Sequence, residues 1–272
     1  MSGPATASLA MYDWPEVQAA NDAMWAFIAA RLRQAGIAAT ATLNRAVAYD
    51  ATWLWPDLLL AQTCGYPFAT ALTGKVQLVG TPGYAVAGCD GANYSSVIVG
   101  SKRSHITAVR DLETAVAAIN SANSQSGHWA LRAALSADGG NGPKRALLSG
   151  SHRNSLHMVA EGRADIAAID AVCWAFAQEY DPQAAGQLRV LGHSPTAPGL
   201  PLITALSTPP ETLAALRAAF TAAIAAPELA DARKALHLSS FHVLPASAYD
   251  RIFELKAVAL KRPFPPLESS QG

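Results

Sequence analysis

The sequence predicts an α/β protein built from mostly parallel sheets with helices on both faces. Three observations point there. Short, bounded apolar runs recur along the chain; Gly, Pro or small polar residues close them; and stretches of helical period follow. A helix between two strands carries the chain back across the sheet, so alternation of this kind sets strands in parallel. The 272 residues suffice for one large domain or two small ones.

The elements follow in order. Ala7-Ser8-Leu9-Ala10-Met11-Tyr12 reads as a buried strand. Asp13, with Pro15 and Glu16 behind it, forms a capping-box pattern for a helix that places Val17, Ala20, Met24, Phe27, Ile28 and Leu32 on one face and stops at Gly36. Leu58–Gln62 is a second strand, closed by Thr63-Cys64-Gly65-Tyr66-Pro67. Val76–Val79 is a third, ended by the turn Thr81-Pro82-Gly83, and Ser96–Val99 a fourth. Ala146–Leu148 leads through Ser149-Gly150-Ser151 into a helix from His152 to Glu161. Asp165–Asp170 is a strand with an acid at its end, and Ala171–Tyr180 a helix. Leu188–Leu191 and Leu202–Leu206 are strands on either side of a Pro-rich segment. Helices follow from Pro209, with Leu213, Leu216, Phe220 and Ile224 on one face, and again near Ala246–Leu260; the tail from Arg262 to Gly272 reads as extended or frayed.

Composition excludes several classes of function. Hydrophobic residues make up 51% and charged residues 15%, enough apolar surface to offset the entropy of ordering, so the chain is not disordered. With 20 Lys+Arg against 20 Asp+Glu there is no basic excess to neutralise phosphates, and no nucleic-acid partner is expected. Charged residues interrupt every long apolar stretch before about 18 residues, so no membrane insertion is expected. Cys64, Cys89 and Cys173 are widely spaced, without a CxxC pair or a Cys/His ligand cluster, and read as buried small hydrophobes; a Cys64–Cys89 disulfide stays open. The first residues carry no secretory leader pattern, which leaves a cytoplasmic location or a removed leader.

The chemistry concentrates in Asn120-Ser121-Ala122-Asn123-Ser124-Gln125-Ser126-Gly127, which opens an Ala/Leu-rich helix. The first amides of a helix lack intrahelical acceptors and carry the positive end of its dipole, so Ser or Asn donors there suit a phosphate-like or carboxylate anion without any Lys. The plain alternative makes Ser124 or Ser126 only an N-cap. Gly150-Ser151-His152-Arg153-Asn154-Ser155 opens another helix, where His152 is either a donor to an anion or a solvated first-turn residue. Asp170 ends an apolar strand, where it either lines a cleft or caps the helix at Ala171. Tyr12, Tyr66 and Tyr94 stand at strand ends or in loops, within reach of a ligand. There is no G-x-S-x-G elbow, Walker loop or H-E-x-x-H, and His152 and His157, five apart, do not share a helix face. No catalytic residue, metal or cofactor is expected.

Ser124-Gln125-Ser126-Gly127 at a helix start, Ser151-His152-Arg153-Asn154-Ser155, and the run from Glu161 to Asp170 together resemble the phosphate, phosphite and phosphonate substrate-binding proteins of ABC transporters. Ser8–Asp13, Gln62–Pro67 and Tyr94–Val99 fit the same pattern, so the resemblance spans about residues 8–255. It implies a type II periplasmic-binding-protein fold, with lobe 1 at 1–94 plus 200–272, lobe 2 at 95–199, hinge crossings at Tyr94-Ser95 and Pro198–Pro201, and the ligand in an interlobe cleft. It also implies that Ser124, Gln125, Ser126 and Gly127 hold the oxyanion. Tyr94, Ser95, Tyr12 and Thr63 would complete the shell, and His152 and Asp170 would meet the ligand's other end. The function implied is non-catalytic binding of a small oxyanion for an ABC permease, in the periplasm. Two other readings stand beside it: a cytoplasmic sensory or regulatory binding protein, and a thiamine-pyrimidine or menaquinone-pathway enzyme on the same fold.

Overall fold

Leu58-Leu59-Leu60-Ala61-Gln62 is buried at every position, as a strand covered on both faces must be. Runs of this kind organise a computed structural model that describes residues 5–269. In chain order the elements are β1 (Thr6–Ser8), α1 (Gln18–Gln34), β2 (Leu58–Gln62), α2 (Gly65–Ala69), β3 (Val76–Tyr84), β4 (Cys89–Asp90), β5 (Asn93–Tyr94), β6 (Ser96–Ser101) and β7 (Val116–Ile119). They continue with α3 (Ala130–Ala137), β8 (Arg145–Leu148), α4 (His152–Ala160), β9 (Ile166–Asp170), α5 (Ala171–Tyr180), α6 (Pro182–Ala185) and β10 (Leu188–His193). Last come β11 (Ala197–Pro198), β12 (Leu202–Ala205), α7 (Pro210–Ala225), α8 (Ala230–Ala235), β13 (Leu238–His242), α9 (Arg251–Ala259) and β14 (Leu267–Ser269).

The chain forms two α/β units. The first takes the chain up to Ala85, Asp90–Ala92 and Pro198–Ala248; the second takes Val86–Cys89, Asn93–Ala197 and the described residues from Tyr249 on. The sequence reading kept everything after residue 200 in the first lobe. The apolar face of α9 packs on α3 instead, and β14 adds to the edge of β8, pairing Leu267 with Ala146, so this segment belongs to the second unit. The tail is therefore strand-paired at Leu267–Ser269 rather than frayed; residues 270–272 lie outside the described residues.

In the first unit the sheet order is β1-β2-β12-β3-β13, with β1 and β2 parallel and β12 antiparallel to both β2 and β3. The sheet is mixed rather than mostly parallel, because β12, returning from the second unit, inserts between β2 and β3. The expected Pro82-Gly83 turn is absent: β3 runs on to Tyr84 and pairs Thr81–Tyr84 with β13. Its pairing with β12 ends at Gly80, so Pro82 removes no N–H from a doubly bonded stretch of strand. Gly80 is needed here, since a Cβ would overlap the Phe241 ring.

At the N-terminus the strand stops at Ser8, and a 3-10 turn takes Ala10–Tyr12. Asp13 is not a cap. Its carboxylate accepts from Arg45 (2.5 and 3.0 Å) and from Asn21 Nδ2 (2.9 Å), and a second 3-10 turn at Pro15–Val17 precedes α1. α1 buries Met24, Trp25, Ile28 and Leu32, and Trp25 Nε1 donates to the Thr40 carbonyl at 3.1 Å.

The second unit has the order β10-β6-β9-β7-β8-β14, with β9, β7, β8 and β14 parallel and β6 antiparallel to β9. Ile98, Ile106, Leu112, Ile119, Leu131 and Ile166 form its core. Three consecutive strand–loop–helix units, β7 to α3, β8 to α4 and β9 to α5, put three helix N-termini beyond the carboxyl ends of neighbouring strands. The cysteines are all free, so the Cys64–Cys89 pairing left open above does not form.

Candidate functional site

β7 stands between β9 and β8: the chain leaves β7 for β8 on one side, then returns to β9 on the other. Such a reversal opens a crevice beyond the carboxyl ends of the two strands flanking it, where open α/β sheets bind ligands. The loops reaching that edge are Asn120–Ser124 after β7 and the Asp170 corner after β9.

The helix after β7 opens in an unusual way. The Ser124 carbonyl accepts from both His128 N–H (3.2 Å) and Trp129 N–H (3.1 Å), so Gln125–Trp129 forms one π-helical turn before α3. Single π turns within helices concentrate at functional positions. Ser124 is the N-cap, its Oγ accepting Gly127 N–H at 2.9 Å. Gly127 admits no side chain, because a Cβ would overlap Asn120 Oδ1.

Ser126 is 3% exposed and joins this turn to the next helix: its Oγ lies 2.7 Å from His152 Nε2 at the first position of α4 and 3.4 Å from Ser124 Oγ. Burial pushes the His152 imidazole down to about 4 against the opposing pull of the Ala168 carbonyl, so the ring is neutral. Hydroxyl and amide bonds make the loop before α4 rigid: Ser151 Oγ accepts Asn154 N–H (3.0 Å), Asn154 Nδ2 donates to the Ser149 carbonyl (2.8 Å), and Ser149 and Ser155 hydroxyls meet at 2.6 Å. The structure thus gathers Ser124, Ser126, Gly127 and His152 into one hydrogen-bonded cluster of neutral groups at two helix N-termini. Gln125 is buried in the same turn.

Asp170, 1% exposed, caps α5 by accepting Val172 N–H at 2.9 Å and pairs across the sheet with Ser96. Burial, and then the Asp170 charge, raise Cys173 and push Cys89 up to about 12, so both thiols stay protonated and are poor nucleophiles. Tyr94 is buried, and the Ser95 hydroxyl donates to the Gly88 carbonyl at 3.2 Å. Tyr12 and Thr63 belong to the first unit, where Tyr12 packs edge-on against Tyr84 at 5.2 Å and Thr63 N–H donates to the Pro201 carbonyl at 3.0 Å.

Asn120 heads the polar stretch named from the sequence, whereas His128, just behind it, carries no role there. His128 is buried, its Nδ1 lies 2.8 Å from the Ala122 carbonyl, and its ring packs on Trp129 and Phe264; burial lowers its pKa. It fastens the loop before the π turn to the turn itself. The only sequence signal for His128 is its position directly behind the Ser-rich stretch. Among the described residues no group of three or more His, Cys, Asp or Glu could hold a metal ion, and no single helix is long and apolar enough to cross a membrane.

Residues 56–249 match the family model described as the periplasmic substrate-binding protein of the phosphonate ABC transporter. A search of curated proteins found no significant match. Among solved structures, the binding-protein component of an ABC phosphonate transporter from Pseudomonas aeruginosa aligns with a TM-score of 0.74 and 19% identity, covering 96% of this chain and 88% of that one. A Prochlorococcus marinus protein in complex with methylphosphonate gives 0.73 and 15%, covering 94% and 97%. A Xanthomonas citri protein bound to chloride gives 0.73 and 16%, covering 96% and 98%. At these identities the structures establish the periplasmic-binding-protein fold.

Proposed function

The chain belongs to the family of periplasmic phosphonate substrate-binding proteins of ABC transporters, and from that premise we propose that it binds a small oxyanion without catalysis. The class is phosphate, phosphite or a phosphonate, and the role is that of the substrate-binding component of an ABC-type uptake system in the periplasm, delivering to a permease. The observation that carries the reading is the cluster at the start of α3 and α4. Two helix N-termini, the Ser124 and Ser126 hydroxyls and the neutral His152 meet beside the strand-order reversal. Helix dipoles and neutral donors hold an anion without a lysine, which suits a chain of zero net charge.

Tyr94, Ser95, Asp170, Tyr12 and Thr63 join the proposal through the family resemblance. An enzyme reading finds little support in the same cluster. A serine 2.7 Å from a histidine has the spacing of a nucleophile and its base, yet a histidine near pKa 4 is a weak base at neutral pH.

Isothermal titration against phosphate, phosphite and methylphosphonate tests the proposal. We expect heat from at least one, with affinity about 10- to 100-fold weaker in Ser126→Ala, the loss of a hydrogen bond to a charged ligand. No heat from any of the three refutes the ligand class.

A further inference from the structure

Trp53-Leu54-Trp55 sets three large apolar side chains in a row, just ahead of β2. Burial would be the expected fate of such a run, yet only Trp53 is buried; Leu54 is 57% exposed. β12 brings a second exposed leucine to the same place. Ala205 pairs with Val76 at the start of β3, and Thr204 Oγ1 donates to the Leu58 carbonyl at 3.1 Å. The turn after β12 therefore lies between the amino ends of β2 and β3, and there Leu206 is 56% exposed. Exposed apolar side chains that cluster, rather than lie scattered, mark an interaction site.

Between these segments is an open pocket of about 330 Å³, lined by Trp53, Leu54, Trp55, Leu206, Ser207 and Lys75 among others. Small-molecule sites have volumes of about 300–1,000 Å³ and this kind of lining, mostly apolar with a few polar groups. Its walls are held from behind. The Trp53 indole N–H donates to the Gln62 carbonyl at 3.1 Å, and Tyr49 packs edge-on against Trp53 at 5.6 Å. Gln77 Nε2 donates to the carbonyls of Leu206 at 2.9 Å and Thr208 at 2.7 Å, which fixes the turn after β12. All of these residues belong to the first unit, so the pocket is separate from the cluster at the start of α3 and α4.

Charge selects the occupant. Lys75 is the only charged residue in the lining; it is exposed, and no carboxylate pairs with it among the described residues. Asp57, next to Pro56, accepts from Thr6 Oγ1 at 3.1 Å and does not line the pocket. Indole faces attract cations, but here Lys75 repels them and no acid compensates. The complement is a ligand with an apolar body and one negative end.

We propose that this pocket is a second ligand site, for a small amphipathic monocarboxylate whose apolar body lies against Trp53, Leu54, Trp55 and Leu206 and whose carboxylate meets Lys75. The inference goes beyond the oxyanion reading and does not depend on it.

Isothermal titration of the full chain with octanoate and with octylammonium at low ionic strength is the test, with NMR of the indole N–H groups to locate the binding. We expect octanoate to bind with a Kd on the order of 100 μM, reasonable for about ten heavy atoms, and to shift the Trp53 and Trp55 signals. Octylammonium should bind about five- to tenfold more weakly, the size of effect one half-exposed charge gives at low salt. Lys75→Glu, at an exposed position, should reverse that preference, and Leu206→Asp should weaken octanoate at least about tenfold. No binding of octanoate, equal binding of the two probes, a preference unchanged in Lys75→Glu, or shifts confined to other tryptophans each overturn the proposal. So does a wild-type dimer that Leu206→Asp dissociates and octanoate does not, which would give the pocket to a second copy of the chain. Methylphosphonate binding should be the same with and without saturating octanoate, so either reading can fail while the other stands.

Discussion

The two units hold similar polar side chains at the ends of their strands and use them differently. In the first unit they turn inward. Gln62 Nε2 lies 3.3 Å from Tyr84 Oη and 3.4 Å from the Leu200 carbonyl; Asn21 Nδ2 donates to Tyr12 O at 3.2 Å; Asp13 is taken by Arg45 and Asn21. Tyr12, Asn21, Gln62 and Tyr84 border a cavity within that unit, lined also by Leu9, Met24, Leu202 and Phe220. In the second unit the polar residues sit at helix starts, where Ser124, Ser126 and His152 bond to one another. The difference teaches that strand-end polar groups can be spent on the packing of their own unit, whereas polar groups at helix starts gather where backbone N–H groups lack intrahelical acceptors.

Trp25→Ala should give the largest effect and should sharpen this contrast. Trp25 is fully buried and its indole N–H donates to Thr40, so truncation leaves a large cavity and an unpaired carbonyl. We expect a loss of about 3–5 kcal/mol in unfolding free energy by chemical denaturation. The oxyanion affinity of the molecules that stay folded should be unchanged. A matching fall in their affinity would break the division of labour between the units.

Next comes the acid response of the second unit, set by His152. Unfolded, the ring takes a proton near its ordinary 6.5; folded, it does so only near 4. The native state thus binds fewer protons than the unfolded state between these values, and stability falls as pH falls through that window. The loss should reach at most about 3 kcal/mol by pH 4, from the size of the shift. His152→Leu should flatten that part of the pH–stability curve. His128, also lowered by burial, leaves a residual slope in the same direction. A variant with an unaltered curve would place the acid sensitivity outside the Ser126–His152 pair.

What the sequence disclosed follows the same contrast. Elements whose signal is local were legible: Leu58–Gln62 as an unbroken apolar run, Ala171–Tyr180 behind Asp170, and the Ser-rich start of the helix after Asn120. Elements that depend on a partner were not. Val116–Ile119 is an Ala-rich four-residue strand whose identity comes from β9 and β8 on either side, and β14 exists because β8 offers an open edge. Pro82-Gly83 carries the residues of a turn, yet strand β13 keeps them extended. The Asp13–Glu16 pattern failed for a similar reason: Arg45, 32 residues away, takes the carboxylate that a cap would need. In the candidate site, Ser124 and Ser126 could be named from composition. The contact that joins Ser126 to His152 could not, because it brings together two helix starts 26 residues apart.

Arg45→Ala should have the smallest effect and examines the first unit alone. The guanidinium bridges Asp13 at 2.5 Å and Asp22 at 2.7 Å, drawing the irregular segment between α1 and β2 onto the start of α1. The two carboxylates raise the Arg45 pKa, so the guanidinium stays charged at every practical pH. Its side chain is 30% exposed and Asp22 is 51% exposed, so solvent weakens the Asp22 arm, whereas Asp13 at 10% keeps more of its share. Half-exposed ion pairs of this type contribute about 0.5–1 kcal/mol, and salt screens them. We therefore expect Arg45→Ala to lower stability by that amount at low ionic strength and by roughly half as much in 1 M salt, where the Debye length is about 3 Å. Asp22→Asn should cost less than Asp13→Asn, because Asp13 also receives Asn21. If Arg45→Ala instead abolished oxyanion binding while the fold remained, the inward-turned network of the first unit would itself belong to the site, and the contrast between the two units would have to be redrawn.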